Sequence, residues 1–199
     1  SEAQYAVQSV LGDSFKVFLD QNPNIGKIIC TFASVKEKLL GKNPEELQAV
    51  AESVGLPRYA AGQLALWLYK KRVTSFDRMT NLSKAAREKL EAMYEVGTCA
   101  PCGRAESSDG TVKYLFAAAS GHVGSVMIPD KDRMTLCVSS QAGCKMGCRF
   151  CMTGRQGWHG NLDVAEILNQ FVSIDGSDGL TNAVFMGMGE PLDNTDNVL

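Results

Sequence analysis

Apolar residues change their spacing partway along this chain. Asn43-Pro44-Glu45-Glu46 offers a capping side chain, a proline at the first helical position and two acids in the first turn. Leu47, Val50, Ala51 and Val54 then fall on one face of a helix that Gly55 ends. A second helix is predicted from Tyr59 to Arg72, with Leu64, Trp67 and Leu68 inward and Lys70-Lys71-Arg72 at its C-terminal end. A third, from Ser83 to Tyr94, is expected to bury Leu90 and Met93. After Tyr94 the period shortens to that of strands. Ser107-Ser108-Asp109-Gly110 reads as a hairpin turn into an alternating strand, Thr111 to Phe116, and Val123–Ile128 and Met134–Ser139 read as two more. A helix is predicted from Asp163 to Ser173, with Val164, Ile167, Leu168 and Phe171 on one face. Ala183-Val184-Phe185-Met186 has the unbroken apolar character of a parallel strand buried on both sides. Strand, loop, helix and strand form a βαβ unit, so the fold class is α/β, a sheet or barrel behind a small helical domain. Residues 1–35 carry only a weak helical pattern.

Composition narrows the class without naming a function. The 199 residues are 45% hydrophobic and 21% charged, as in ordinary globular proteins, and no apolar run approaches the roughly 18 residues of a spanning helix, so no membrane partner is expected. The net charge of −2 is unevenly spread: residues 36–92 carry 11 Lys/Arg against 7 Asp/Glu, and residues 93–199 carry 7 against 12. The chain starts at Ser1 with no basic and apolar leader, and it stops at Leu199 with no terminating signal. It is therefore expected to be part of something longer. Seven cysteines without a secretory leader favour metal or thiol chemistry in a reducing compartment, the cytoplasm, over a disulfide framework.

Four of those cysteines fall in Cys137-Val-Ser-Ser-Gln-Ala-Gly-Cys144-Lys-Met-Gly-Cys148-Arg-Phe-Cys151. Three thiolates spaced C-x3-C-x2-C on a glycine-bearing loop suit an iron–sulfur cube whose fourth iron has no protein ligand. Zinc is the alternative, but it usually takes four ligands in C-x2-C pairs, and His159 is the one further candidate nearby. Cysteines that merely pack as small hydrophobes are a poor account of three thiols in eight loop positions.

The Cys144–Cys151 spacing, with Phe150 before its last cysteine, resembles the signature of the radical S-adenosylmethionine (SAM) superfamily. Gly187-Met188-Gly189-Glu190-Pro191, after the second strand of the βαβ unit, resembles that superfamily's glycine-rich segment. Cys-Val-Ser-Ser-Gln-x-Gly-Cys, Phe-Cys-Met-Thr-Gly and Met-Gly-Met-Gly-Glu-Pro together resemble the RlmN branch of the RlmN/Cfr family of dual-specificity RNA methyltransferases. The likeness runs over about residues 37–199 and takes in Trp67-Leu68-Tyr69 and Met79-Thr80-Asn81-Leu82-Ser83.

The resemblance implies a helical, helix-hairpin-helix-like RNA-docking domain over 36–95 and a β-hairpin linker region over 96–133. The first part of a radical-SAM (β/α) barrel would follow over 134–199, and residues 1–35 form an unassigned extension. It implies that Cys144, Cys148 and Cys151 hold a 4Fe–4S cluster, that Phe150 lies beside the adenine of SAM, and that Gly189 and Glu190 receive its ammonium group. It also implies an activity: formation of 2-methyladenosine in 23S rRNA and tRNA at the cost of two SAM per turnover. One SAM methylates a cysteine in the C-terminal part of the enzyme. The other is cleaved to a radical that activates that methyl for addition to C2 of adenine. Cys137 would be the second thiol, which releases the product by a transient disulfide. Partners implied are the RNA and an electron donor such as flavodoxin or ferredoxin, with the enzyme a monomer. No counterpart of the methyl-carrying cysteine is present, so the chain is expected to be inactive alone. A Cfr-like C8 methyltransferase and a metal-stabilised RNA-binding module are the competing readings.

One position departs from the family. Where a glutamate usually precedes Val-x-Ile-Pro, this chain has Gly124, and His122 is too ordinary a turn neighbour to take over a proton-handling role. Cys99-Ala-Pro-Cys102 could be a redox pair but reads better as incidental, and Cys30 has no functional reading. Lys70, Lys71, Arg72, Arg78, Lys84 and Arg87 could contact RNA phosphates.

Overall fold

Asn43 starts the first helix as its neighbours suggest: its side chain accepts from Glu46 N at 2.9 Å while Glu46 reaches back to Asn43 N at 2.7 Å. In this computed structural model, which describes residues 36–199, that helix is α1, Pro44–Ser53. The weak helical pattern of residues 1–35, and Cys30, lie outside the described residues. Residues Lys38–Leu199 form one compact unit with two apolar cores.

The first core is helical. It gathers α1, α2 (Ala60–Ala65) and α3 (Lys84–Met93) around Leu47, Leu64, Trp67, Leu68, Met79 and Leu90. The second helix does not run uniformly to Arg72: Leu66–Lys70 is a π-turn, with Lys71 N bonded to Leu66 O at 2.9 Å. The wider turn lets the adjacent Trp67 and Leu68 both face inward, and Trp67 Nε1 donates to Asn81. Ser83 caps α3 through Ala86 N. Met93 is 49% exposed, contrary to expectation, because the chain leaves the helix at Tyr94 and it is Tyr94 that turns into the core. Short strands β1 (Glu37–Lys38) and β2 (Tyr94–Glu95) pair at the edge of this unit.

The second core lies under a five-stranded sheet of order β3-β4-β5-β6-β9. β3 (Gly103–Glu106), β4 (Val112–Ala118), β5 (Gly121–Asp130) and β6 (Arg133–Cys137) form an antiparallel meander. Val112, Tyr114, Phe116, Val123 and Leu136 alternate onto the buried face. Two short elements follow, an antiparallel ladder of β7 (Gln141–Gly143) with β8 (Trp158–Asn161) and the single-turn helix α4 (Met152–Arg155) between them. Helix α5 (Val164–Val172), capped by Asp163 and Glu166, then crosses back to β9 (Asn182–Val184), which pairs in parallel with β6. A last turn, α6, is Thr195–Val198.

Two sequence expectations need correction here. The apolar run Ala183–Met186 is not buried on both sides: Asn182 and Ala183 are exposed and Met186 is 81% exposed, because β9 is the outermost strand of the described sheet. Helix α5 does not present one apolar stripe. It buries Ile167 together with two amides, Asn169 and Gln170, at 4% and 0% exposure.

Polar contacts join the two cores. Asn169 binds the backbone of Cys99 in both directions, at 2.8 and 2.9 Å. Lys38 pairs with Asp163 at 2.9 Å. Arg72 sits at φ 50°, an uncommon backbone for a side-chain-bearing residue, and its guanidinium reaches Asp178 at 2.8 Å and also Ser177.

Candidate cofactor site

Beyond β6 the chain becomes polar yet stays buried. Ser139, Ser140 and Gln141 are at most 1% exposed, so their hydrogen-bonding groups must find partners inside the protein. Gln170 of α5 provides two of them, accepting from Ser139 N and donating to Ser139 O at 2.9 Å each. Asn194 donates to Ser140 O at 2.8 Å and Leu162 O at 2.9 Å. Ser139 Oγ donates to Gly124 O at 2.6 Å and accepts from Met188 N at 2.9 Å.

That last bond brings the glycine-rich segment against the strand exit. Ser140 N and Gln141 N both donate to Met188 O. Glycine is required by space at two of these positions. A Cβ on Gly187 would lie 2.7 Å from Val138 O, and one on Gly189, at φ 97°, would lie 2.5 Å from Gln141 Cβ. Glu190 follows directly. Its backbone N–H donates to Gln141 Oε1 at 2.9 Å, and its carboxylate accepts from Leu192 N at 3.1 Å as the cap of the short 3-10 turn Pro191–Asp193.

From Gln141 the chain runs through β7 into the cysteine loop. Cys144 N bonds Gly157 O and Cys151 N bonds Cys148 O, each at 3.0 Å, and Gly147 turns the loop at φ 62°. Cys151 stands immediately before α4, where the Gly154 backbone N–H holds its thiol below the usual cysteine range. Cys148 is exposed, Cys144 and Cys151 are half-buried, and Phe150 is 92% exposed at the loop's outer side.

The structure therefore holds Gln141, three residues before Cys144, against Gly187–Glu190 through Met188 O and Glu190 N. Among the described residues, however, no three Cys, His, Asp or Glu side chains are drawn close enough to enclose a metal ion. The donor set is nonetheless of the right chemistry: three free thiols on one loop, none more than half-buried and one already biased toward thiolate.

Cys137 lies apart from this loop. It ends β6 opposite Val126, and strand alternation puts its thiol on the face away from buried Leu136. Burial pushes that thiol up, with a partly opposing hydrogen bond from the Met186 backbone. Gly124 is on the same face by alternation, opposite Leu115. His122 and His159, the two histidines of the chain, line one open cleft of about 410 Å³ with Ser120, Gln156 and Met188.

Other candidates are already engaged. Arg72 pairs with Asp178, Arg87 with Asp77 and Lys84 with Glu88, while Lys71 lies 3.8 Å over the Trp67 ring. Lys70 and Arg78 remain exposed. Cys99 and Cys102 are exposed free thiols. Sequence reasoning missed Ser139, Gln141, Asn169, Gln170 and Asn194. The available signal was a run of three polar residues where a strand should have continued into apolar ones.

Comparison with known proteins agrees with this layout. The family described as "Ribosomal RNA large subunit methyltransferase N-terminal domain" matches residues 37–96, and the "Radical SAM superfamily" matches residues 138–199. The "Probable dual-specificity RNA methyltransferase RlmN" of Porphyromonas gingivalis is 57% identical over 165 residues, covering 82% of this chain and 47% of that protein. The similarly named protein of Parabacteroides distasonis is 56% identical over 82% of this chain and 48% of its own length. The "Dual-specificity RNA methyltransferase RlmN" of Pseudomonas fluorescens is 45% identical over 85% of this chain and 47% of its own. Among solved structures, a radical SAM methyltransferase from Sphaerobacter thermophilus superposes with a TM-score of 0.75 at 35% identity, covering 81% of this chain and 50% of the other. The chain thus spans about half the length of the curated relatives it matches.

Proposed function

Because the chain belongs to the RlmN family, with its N-terminal domain and a radical SAM segment in sequence, we propose that it serves a SAM-dependent RNA methyltransferase acting at C2 of adenine, with 23S rRNA and tRNA as substrates. One observation carries the reading. Gln141, on the short strand that leads into the three-cysteine loop, is bonded to Met188 O and Glu190 N, so a group held by the loop and a ligand held by the glycine-rich segment would be neighbours.

Cys144, Cys148 and Cys151 would hold a 4Fe–4S cluster as thiolates. When bound, the cluster would supply an electron and one open iron position to SAM. Glu190 offers a carboxylate for an ammonium group, and Gly187 and Gly189 let the segment that carries it lie directly against Val138 and Gln141. Phe150, exposed on the loop, is free to lie against an adenine ring. Cys137 is a half-buried thiol kept neutral by that burial, on the sheet face opposite Leu136, as suits a group that waits for a partner cysteine. The exposed Lys70 and Arg78 support RNA docking by residues 36–95, while Arg72, Lys84 and Arg87 are already paired with carboxylates. An external flavodoxin- or ferredoxin-type donor, a monomeric state and the cytoplasm complete the proposal.

Anaerobic reconstitution tests it. Iron and sulfide should bind at about four each per chain, with an electron paramagnetic resonance signal that changes when SAM is added. Replacing Cys144, Cys148 or Cys151 by Ser should abolish the signal. A colourless protein holding one zinc per chain would overturn the reading in favour of a structural metal site.

A further inference from the structure

Of the residues between Cys144 and Cys148, Lys145 has a side chain tied to another part of the fold. Its Nζ lies 3.0 Å from Asp193 Oδ2 and 4.4 Å above the centre of the Trp158 ring. Asp193 Oδ2 also accepts from Gln141 Nε2 at 2.7 Å, and Gln141 Nε2 donates in addition to Asn161 Oδ1 at 2.8 Å. The other end of the Gln141 amide receives Glu190 N. Asp193 closes the same 3-10 turn that Glu190 opens. One turn therefore presents at its start the Glu190 carboxylate, bonded to the turn's own Leu192 N, and at its end the Asp193 carboxylate, tied to Lys145 and Gln141.

We propose that Asp193 is a positioning residue: through Lys145 it latches the cysteine loop onto the turn that carries Glu190, and so fixes the distance between the loop's thiols and that carboxylate. The proposal deepens the reading above and rests on it for its purpose, though not for its geometry. Without the latch, Lys145 keeps only the Trp158 face, and the loop is held by Cys144 N to Gly157 O, Cys151 N to Cys148 O and Arg155 Nη2 donating to Arg149 O at 3.1 Å. Gln141 keeps its bonds to Glu190 and Asn161, so the glycine-rich segment stays in place while the loop loosens. The pair is partly exposed, with side chains 45% and 28% accessible, and belongs among interactions of modest strength.

The test begins with the metal-free chain. Hydrogen exchange of the peptide spanning 144–151 should quicken about fivefold in Asp193→Asn and in Lys145→Met, the upper end of what a partly exposed ion pair supplies. The double variant should show the same fivefold rather than about twenty-five-fold, as for two halves of one interaction. Asp193→Glu should restore part of the protection, and a peptide from α1 should exchange unchanged in every variant. In reconstituted protein, Asp193→Asn should keep its iron while the SAM concentration needed to change the paramagnetic signal rises about fivefold. Unchanged exchange in 144–151, or strictly multiplicative effects in the double variant, would overturn the latch. An intact latch in a chain that takes up no iron would leave it standing and sink the cofactor reading instead.

Discussion

Gly189→Ala should be disproportionately costly, and the structure supplies the comparison that proves why. Gly189 stands at φ 97°, and an added Cβ would come 2.5 Å from Gln141 Cβ and 2.7 Å from Gln141 N. Gly55 also has a left-handed backbone, φ 76°, but a Cβ there meets nothing within 4 Å. Forcing an L side chain into that region costs about 1–2 kcal/mol at either site. Overpacking against atoms that cannot retreat adds about 1–3 kcal/mol at Gly189 alone. Gln141 cannot retreat, since it is fully buried and bonded to Glu190, Asn161 and Asp193. The expected losses are therefore about 1–2 kcal/mol for Gly55→Ala and about 2–5 kcal/mol for Gly189→Ala. Urea unfolding followed by far-ultraviolet circular dichroism, on both variants and the parent, measures the difference. Equal losses would mean that backbone conformation alone explains the glycine and that its closeness to Gln141 is unimportant.

Two further outcomes follow from the thiols and from the family departure. Under brief iodoacetamide treatment at neutral pH, mass spectrometry should find Cys151 labelled well before Cys137, because the Gly154 N–H favours thiolate at the first and burial disfavours it at the second. For Cys137 the raised folded value means a stabilising contribution present below the ordinary thiol value near 9.0 and lost as pH rises through the folded one, so its labelling should accelerate above that point. Gly124→Glu should be tolerated or stabilising by about 0.5–1 kcal/mol, since a strand glycine is replaced and its Cβ would meet only Lys113 Cε at 3.5 Å and Tyr114 O at 3.7 Å. A fall in melting temperature would refute that.

Much of the fold could be read from local chemistry. The Asn43 cap, the helix start at Asp163, the Ser107–Gly110 turn and the alternation of β4 depend on residues close in sequence, and each formed as its spacing indicated. What failed depended on neighbours distant in the chain. Met93 has the polarity of a core residue, but the departure of the chain at Tyr94 decides which of the two is covered. Ala183–Met186 has the composition of a central strand, yet its position at the sheet edge leaves it open. The cysteine loop and the glycine-rich segment were each conspicuous as motifs. Their connection through Gln141, Asp193 and Lys145 spans up to 52 positions and no local pattern announces it.

Asn169 and Gln170 stand side by side on α5. Each side chain bonds both the N–H and the C=O of one residue, Asn169 those of Cys99 and Gln170 those of Ser139. What they recognise is common to every amino acid except proline, whose missing N–H would break one of the paired bonds. The helix consequently holds the chain at residue 99 without inspecting its side chain, and sequence drift there is free in every direction but one.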